Sequence, residues 1–416
     1  MLFGSSGVRR KFGYDLVSIG LSLGSALASR SHEIILGMDT RTTSPVISHA
    51  ILAGITGSGG TALHAGIVPT PTVAFSARYH SAGCMITASH NPEEYNGIKL
   101  FNPDGSSFTR QQQDEMEDRI PSPCWAGWDD QGTVGITDAI TPHSDAILSR
   151  ISIDENLPVV ADCGNGAGSM VTPTLLRDAG ARMTLINCNP SGHFSRPSEP
   201  LESNLPYLGE VVRKTRAACA VVHDGDADRM MAFDVKGRYI SGDHLLMLFA
   251  KYQGAKRVVT TTDASMLIEE IADVHRTPVG DAFVSEELLS WGDFGGEPSG
   301  AWIFPEISLC PDGPFAAALF CEIASEWNVA DELDAMPRYP ILRGSFPNST
   351  ARDTMIALGA SNPTNGIRIE EEDGWCLIRA SGTEPKIRIT AEGRTKDAAE
   401  RMFERGRSLL TMTKTA

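Results

Sequence analysis

Residues 33–39, EIILGMD, are followed by SPVISHAILAGITG at 44–57 and by GCMITAS at 83–89. The first and third stretches are short and apolar, which is typical of buried strands. The middle stretch is typical of a helix, with Ser44 as its N-cap and Pro45 at its first helical position. A strand, a helix and a second strand in this order predict a βαβ unit with parallel strands.

The same alternation occurs twice more. One copy contains the apolar stretches LPVVADC (157–163), MTLIN (183–187) and ACAVVHD (218–224). The other contains the strand RVVTTTD (257–263), a predicted helix SMLIEEIADVH (265–275) and the apolar helix FAAALFCEIASEW (315–327). After about residue 338 the pattern changes to two strand-like stretches and a final amphipathic helix from Lys396, which indicates a compact α+β unit.

We therefore predict an α/β protein of four domains around a central cleft. Three are similar βα domains with mixed, largely parallel sheets, and the fourth is a C-terminal α+β domain. The predicted bounds are 1–138, 139–241, 242–337 and 338–416.

The charge of the chain limits its partners. Its 416 residues include 36 Lys and Arg against 52 Asp and Glu, a net charge of −16. That charge repels nucleic acid and anionic membranes, so we expect neither as a partner. The chain has no signal-peptide pattern and no apolar run of membrane-spanning length, so a cytoplasmic location is expected. Its oligomeric state is not indicated.

The strongest local signal is HDGDADR at 223–229, directly after an apolar strand. Asp224, Asp226 and Asp228 alternate, and three crowded carboxylates need a counterion. Hard divalent cations such as Mg²⁺ prefer oxygen ligands of this kind. An EF-hand is excluded because Arg229 replaces its glycine and Val235 its bidentate glutamate. We predict a metal site; a solvated acidic turn is the alternative.

A second signal is TASHNP at 87–92, where Ser89 stands beside His90 on a tight loop. Such a serine can act as a nucleophile, and a phosphorylated serine would carry about −1.5 to −2 charges for the metal to bind. A capped turn without catalytic function is the alternative. Lys99, on the strand that follows, is a candidate general acid/base or phosphate contact, or else a surface charge.

Two more glycine-bearing loops follow predicted strands. RASGTEPK at 379–386 offers a guanidinium, hydroxyls and backbone N–H groups, which suit a phosphate dianion. GGEPSG at 295–300 presents Glu297 and Ser299, which suit sugar hydroxyls. Plain turns remain the alternative for both. Because ligands bind at the carboxyl ends of parallel strands, we expect the four loops to meet in one cleft.

In this order, SGVR, TASHNP, NGIK, GNGAGS, DGDADR, GGEPSG and RASGTEPK closely resemble the α-D-phosphohexomutase family, over residues 3 to about 393. The loops look most like the archaeal-type phosphoglucosamine mutases; relatives act on phosphomannose or phosphoglucose. The resemblance implies a four-domain fold, a sugar-phosphate substrate and conversion of glucosamine 6-phosphate to glucosamine 1-phosphate through a hexose 1,6-bisphosphate.

The resemblance also implies roles for individual residues. Ser89 would carry the phosphoryl group, and Asp224, Asp226 and Asp228 would bind one Mg²⁺ together with an oxygen of the phosphorylated Ser89. The other implied residues surround the sugar phosphate: Arg9, His90, Lys99 and Arg229 at the reacting phosphoryl group, Glu297 and Ser299 at the sugar hydroxyls, and Arg379, Ser381, Gly382 and Thr383 at the non-reacting phosphate.

Two positions depart from the family pattern. Ala301 stands where many relatives have histidine, and Arg10 stands where glycine is usual. No role of that histidine is transferred to this chain. A metal-dependent phosphatase, which would pass the phosphoryl group of Ser89 to water, and a non-catalytic sugar-phosphate sensor are the rival functions.

Overall fold

The computed structural model describes residues 2–4, 7–381 and 385–412. These residues form four separate β-sheets with helices packed on them, which confirms the predicted α/β class. Every helix among them is too short or too polar to cross a lipid bilayer.

The first sheet has six strands in the order β1-β5-β4-β2-β3-β6. Strand β2 is parallel to β3 and β4, whereas β5 is antiparallel to both of its neighbours. Its elements are β1 (Val8–Lys11), α1 (Tyr14–Ala28), β2 (Glu33–Met38), α2 (Ser44–Gly57), β3 (Thr61–Ile67), α3 (Thr70–Ser76), β4 (Ala82–Ile86), β5 (Tyr95–Phe101), α4 (Arg110–Arg119) and β6 (Val134–Ile136).

The second sheet has the order β11-β10-β9-β7-β8, with β7 parallel to β8 and β9. Strand β10 turns back antiparallel to β9, so the connection between them is a tight loop. The elements are α5 (Ile140–Leu148), β7 (Pro158–Asp162), α6 (Thr172–Asp178), β8 (Arg182–Ile186), α7 (Leu208–Thr215), β9 (Cys219–His223), β10 (Met230–Phe233) and β11 (Tyr239–Ile240).

The third sheet has the order β13-β12-β14-β15, and the fourth is antiparallel in the order β16-β19-β18-β17. The third includes α8 (Gly242–Gln253), β12 (Arg257–Thr261), β13 (Asp273–Thr277), α9 (Asp281–Leu288), β14 (Phe294–Gly296), β15 (Trp302–Ile303), α10 (Gly313–Glu326) and α11 (Val329–Ala335). The fourth includes β16 (Ile341–Pro347), α12 (Ala351–Ala357), β17 (Ile367–Glu371), β18 (Gly374–Ala380), β19 (Lys386–Gly393) and α13 (Lys396–Met412).

Two local predictions are wrong. Residues 265–275 do not form one helix: a 3-10 turn at Met266–Glu270 buries three consecutive apolar side chains, and the chain then enters β13, which pairs in parallel with β12. Helix α2 begins at Ser44, so Thr43 and not Ser44 is its N-cap; the Ser44 hydroxyl donates to Asp39 Oδ1 at 2.7 Å and helps to hold the buried Asp39. The domain bounds remain predictions.

The second and third sheets share the largest buried apolar cluster, which includes Val221, Phe249, Trp302 and Phe315. Close packing of this kind resists relative movement. It therefore holds the loop after β9 and the loop after β14 in a fixed relation. The fourth sheet has a separate core of its own, with members such as Met355 and Ile389.

Candidate active site

Ser89 stands three residues after the end of β4, in a backbone conformation that is unusual for a residue with a side chain. Its φ is 48°, in the left-handed region, and its N–H donates to Thr87 Oγ1 at 2.8 Å. The side chain is buried, and its hydroxyl donates to Asp224 Oδ2 at 2.8 Å. His90 Nδ1 lies 3.3 Å from the same hydroxyl. The predicted nucleophile and the predicted metal loop therefore meet.

Asp224, Asp226 and Asp228 lie in the turn between β9 and β10. All three are buried, and one carboxylate oxygen of each lies within 4.8 Å of the other two. Oδ1 of Asp226 and Oδ1 of Asp228 are buried without a hydrogen-bond partner in the described part of the chain. Because buried carboxylate oxygens require a donor or a cation, and Mg²⁺ prefers oxygen ligands, this donor set fits one hard divalent cation.

Lys99 extends from β5 to the same carboxylates. Its ammonium group lies 2.9 Å from Asp226 Oδ2 and 2.5 Å from Asp228 Oδ2. Burial acts to lower the pKa of Lys99, but the two carboxylates outweigh it and raise that pKa above its ordinary value. Burial, followed by Asp228 and Asp226, raises the pKa of Asp224. Lys99 contacts only two of the three buried carboxylates, and the pKa of Asp224 stays raised although the charges of Arg229 and Lys99 oppose the shift, which favours binding of a further cation.

Three other predicted residues surround Ser89. Arg9 Nη1 donates to Asn91 Oδ1 at 3.1 Å, and the Arg229 backbone N–H donates to Asp224 Oδ1 at 3.2 Å. Burial, together with the charges of Arg229 and Arg9, lowers the pKa of His90 to about 2. His90 is therefore neutral at pH 7, and the positive charges of Arg229 and Arg9 act on it. The Arg229 guanidinium lies 3.3 Å from Glu199 Oε1. This side of the site suits a phosphoryl group.

Glu297 follows β14, and its buried side chain accepts a hydrogen bond from the Gly280 N–H at 2.8 Å. Burial, with the nearby charge of Asp281, raises its pKa to about 7, although Arg229 opposes the shift. Ser299 Oγ lies 3.5 Å from Glu297 Oε2. A carboxyl and a hydroxyl held this way can accept and donate hydrogen bonds to sugar hydroxyls.

The loop at 295–300 and strand β15 are hydrogen-bonded to Met230, which directly follows the HDGDADR segment at 223–229. The Met230 N–H donates to Gly300 O at 2.9 Å, and Trp302 Nε1 donates to Met230 O at 2.7 Å. Ala301 pairs with Arg229 in an isolated antiparallel bridge, and its methyl group is buried. Ala301 therefore has a structural contact here and no side chain capable of proton transfer. Arg10, the other departure from the family pattern, is exposed and pairs in register with Asn96.

Arg379 and Ser381, at the end of β18, line a cavity of about 670 Å³ where the first, third and fourth sheets approach one another. Neither Ser89 nor the three aspartates line this cavity. A small pocket beside Lys99 shares Phe3 and Phe108 with it, so the two spaces adjoin. The predicted phosphate contacts Gly382 and Thr383 lie outside the described residues.

Two residues at the site were not predicted from the sequence. Thr70, at the start of α3, donates to Asp226 Oδ2 at 2.6 Å. Arg41 is buried beneath the loop between β4 and β5 (residues 87–94, the serine loop) and donates to Ser89 O at 2.8 Å. The available signal was position: Asp39 and Arg41 follow β2 at the same sheet edge as Ser89, where ligands bind in α/β folds.

Comparison with known proteins identifies the family. Family models described as phosphoglucomutase/phosphomannomutase alpha/beta/alpha domains I, II and III match residues 1–123, 137–237 and 241–339, and the C-terminal domain of the same family matches 345–408. The chain belongs to the phosphoglucomutase/phosphomannomutase family. Those matches follow the same order as the four sheets.

Individual relatives of this phosphohexomutase agree. It is 44% identical to a probable phosphoglucosamine mutase of Methanocella arvoryzae, with 98% of both chains covered. It is 38% identical to a phosphoglucosamine mutase of Methanococcus aeolicus, again with 98% of both covered. A phosphoglucomutase/phosphomannomutase family structure from Burkholderia thailandensis superimposes with a TM-score of 0.87 at 23% identity, covering 99% of this chain and 97% of that one. An Aspergillus fumigatus N-acetylphosphoglucosamine mutase, solved with GlcNAc-6P and magnesium, has a TM-score of 0.60 at 16% identity, covering 99% and 96%.

Proposed function

We propose that this phosphohexomutase is a phosphoglucosamine mutase, which interconverts glucosamine 6-phosphate and glucosamine 1-phosphate. The full-length relatives named as phosphoglucosamine mutases support the substrate. The observation that carries the chemistry is the 2.8 Å hydrogen bond from Ser89 Oγ to Asp224 Oδ2, at the edge of a buried carboxylate triad.

In the proposed cycle Ser89 carries the phosphoryl group. The bond from phosphorus to Ser89 Oγ breaks as a bond to a sugar hydroxyl oxygen forms, which gives glucosamine 1,6-bisphosphate. That intermediate reorients in the cleft so that its other phosphate faces Ser89, and it returns that phosphoryl group to Ser89. Mg²⁺ held by Asp224, Asp226, Asp228 and an oxygen of the phosphorylated serine would supply the charge neutralisation that phosphoryl transfer requires.

The side chains of the site would bind and orient the sugar phosphate. Arg9, Arg229 and neutral His90 hold the oxygens of the reacting group. Lys99 Nζ donates to Asp226 Oδ2 and is held protonated by the carboxylates. As the proposed general acid/base, it would give a proton to the departing Ser89 oxygen and take up the proton of the attacking sugar hydroxyl. Glu297 and Ser299 bind the sugar hydroxyls, while Arg379 and Ser381, with Gly382 and Thr383, bind the phosphate that is not reacting. A phosphate site separate from Ser89 would allow either end of the bisphosphate to face Ser89.

Intact-mass analysis and a coupled assay test the proposal. Wild-type protein incubated with glucosamine 1,6-bisphosphate should gain the mass of one phosphoryl group, and Ser89→Ala should gain none and lose mutase activity. Ser81→Ala, at an exposed serine just before β4, is the control and should behave as wild type. Activity that survives Ser89→Ala would remove Ser89 from the mechanism.

The substrate assignment is tested with a panel of hexose phosphates. Glucosamine phosphate should have the highest kcat/KM. A higher kcat/KM for mannose or glucose phosphate would instead assign a phosphomannomutase or phosphoglucomutase of the same family. Steady release of inorganic phosphate without isomerisation would indicate the phosphatase.

A further inference from the structure

Arg41 is a buried arginine whose whole guanidinium group is used in holding the serine loop. It is 2% exposed, and all five of its side-chain N–H donors are occupied. Nε donates to Asp39 Oδ2 at 3.0 Å. The other four donors bind backbone carbonyl oxygens in the loop after β4 and at the first residue of β5: Ser89 at 2.8 Å, Asn91 at 2.7 Å, Pro92 at 2.7 Å and Tyr95 at 3.0 Å.

The guanidinium group is itself anchored on both sides. Asp39 is buried and also accepts hydrogen bonds from the Arg41 backbone N–H at 3.0 Å and from the Ser44 hydroxyl at 2.7 Å. The ring of Phe194, from the second domain, lies over the guanidinium with 5.1 Å between the guanidinium carbon and the ring centroid. Arg41 therefore has one available geometry.

Those contacts fall where the backbone needs support. The left-handed φ of 48° at Ser89 persists only where the surroundings impose it. Arg41 holds the carbonyls on either side of His90, and Ser198 Oγ donates to Ser89 O at 3.3 Å. A planar fork with five donors can bind four carbonyls and one carboxylate, whereas a lysine has three donors and no fork.

We propose that Arg41 is a positioning residue for phosphoryl transfer. It fixes the backbone of residues 89–95 so that Ser89 Oγ stays against the metal-binding carboxylates while the sugar turns over. The proposal rests on the proposed function, since it assumes that Ser89 is the phosphoryl carrier. Arg41 contacts Ser89 only at its backbone carbonyl oxygen. No hydrogen bond of its guanidinium group reaches the three aspartates or the described residues assigned to the sugar and its distal phosphate. Its loss should therefore act on the chemical step and not on substrate binding.

The test is steady-state kinetics on Arg41→Lys, with Arg30→Lys at an exposed arginine as the matched control. A displacement of about 1 Å at a reacting group lowers a rate by about 100-fold. We expect kcat to fall by about that factor in Arg41→Lys, with KM for glucosamine 6-phosphate within about 2-fold of wild type. Arg30→Lys should match wild type in both constants.

A second variant, Asp39→Asn, keeps the guanidinium and removes its ionic anchor. Its kcat should fall by about 10-fold with KM unchanged, and this variant decides the question if Arg41→Lys does not fold. Circular dichroism establishes the folded fraction of each variant. Unchanged kcat in a folded variant, or a kcat that falls only in proportion to the folded fraction, overturns the proposal. The proposal is also overturned if KM for glucosamine 6-phosphate rises by the same factor by which kcat falls.

The wild-type protein distinguishes the two proposals. Active wild type with unaffected variants overturns the role of Arg41 and leaves the mutase function intact. Wild type without mutase activity on any hexose phosphate overturns both.

Discussion

Replacing Lys99 with methionine should make the protein's stability depend on a divalent cation. Lys99 is 5% exposed and its ammonium group contacts two of the three carboxylates, at 2.9 and 2.5 Å. Removing one member of a buried ion pair costs about 3–5 kcal/mol because the remaining charge is left unpaired. We therefore expect Lys99→Met to lower the free energy of the first unfolding transition by about that amount in EDTA.

Added Mg²⁺ should restore much of the loss. A ligand at 100 times its Kd stabilises the folded state by about 2.7 kcal/mol. Mg²⁺ should bind Lys99→Met more tightly than wild type, because no ammonium group competes with it for Asp226 and Asp228. Urea unfolding followed by circular dichroism, with and without Mg²⁺, measures both effects, and Lys256→Met at an exposed lysine is the control. Equal stability of variant and wild type in EDTA, or a deficit that Mg²⁺ does not reduce, would refute the reasoning.

Three further changes have defined outcomes. The pKa of Glu297 is raised from 4.5 to about 7, so the stability that its protonated form contributes is complete below about pH 4.5 and is lost as the pH rises through 7. In metal-free urea titrations, the free energy of unfolding of Glu297→Gln should therefore rise by about 3 kcal/mol relative to wild type between about pH 5 and pH 8. Parallel pH profiles of the two proteins would contradict this. Arg379→Ala should raise KM for glucosamine 6-phosphate by about 10-fold or more, because a charged contact to phosphate is lost, and an unchanged KM would remove Arg379 from the site. A Cβ at Gly97 would lie 2.1 Å from Val8 O, so Gly97→Ala should lose about 1–3 kcal/mol in thermal unfolding, whereas Gly13→Ala, with open space around it, should match wild type.

The loops that form the site could be predicted because each follows an apolar strand. Ser89 comes after β4, Asp224 after β9 and Glu297 after β14, and all three are buried in the structure. Because ligands bind at the carboxyl ends of parallel strands in such folds, local sequence was enough to assign these loops to one cleft. The contact between Ser89 and Asp224, 135 residues apart, agrees with that assignment.

The support beneath the loops could not be predicted from local sequence. Arg41 resembles an ordinary surface charge in the sequence, and its burial depends on four carbonyls that lie 48 to 54 residues away. The misassigned helix at 265–275 has a similar origin. Its apolar residues satisfy a helical period, but pairing of β13 with β12 determines the conformation of the second half.

The central claim is that a phosphate on Ser89 shares one cation with the aspartate triad. The most direct measurement is the ³¹P resonance of the phosphorylated protein during titration with Mn²⁺, a paramagnetic substitute for Mg²⁺. Substoichiometric Mn²⁺ should broaden the phosphoserine line in wild type and leave it sharp in Asp226→Asn. A line that stays sharp when Mn²⁺ is bound, or a phosphate on another residue, would contradict the claim.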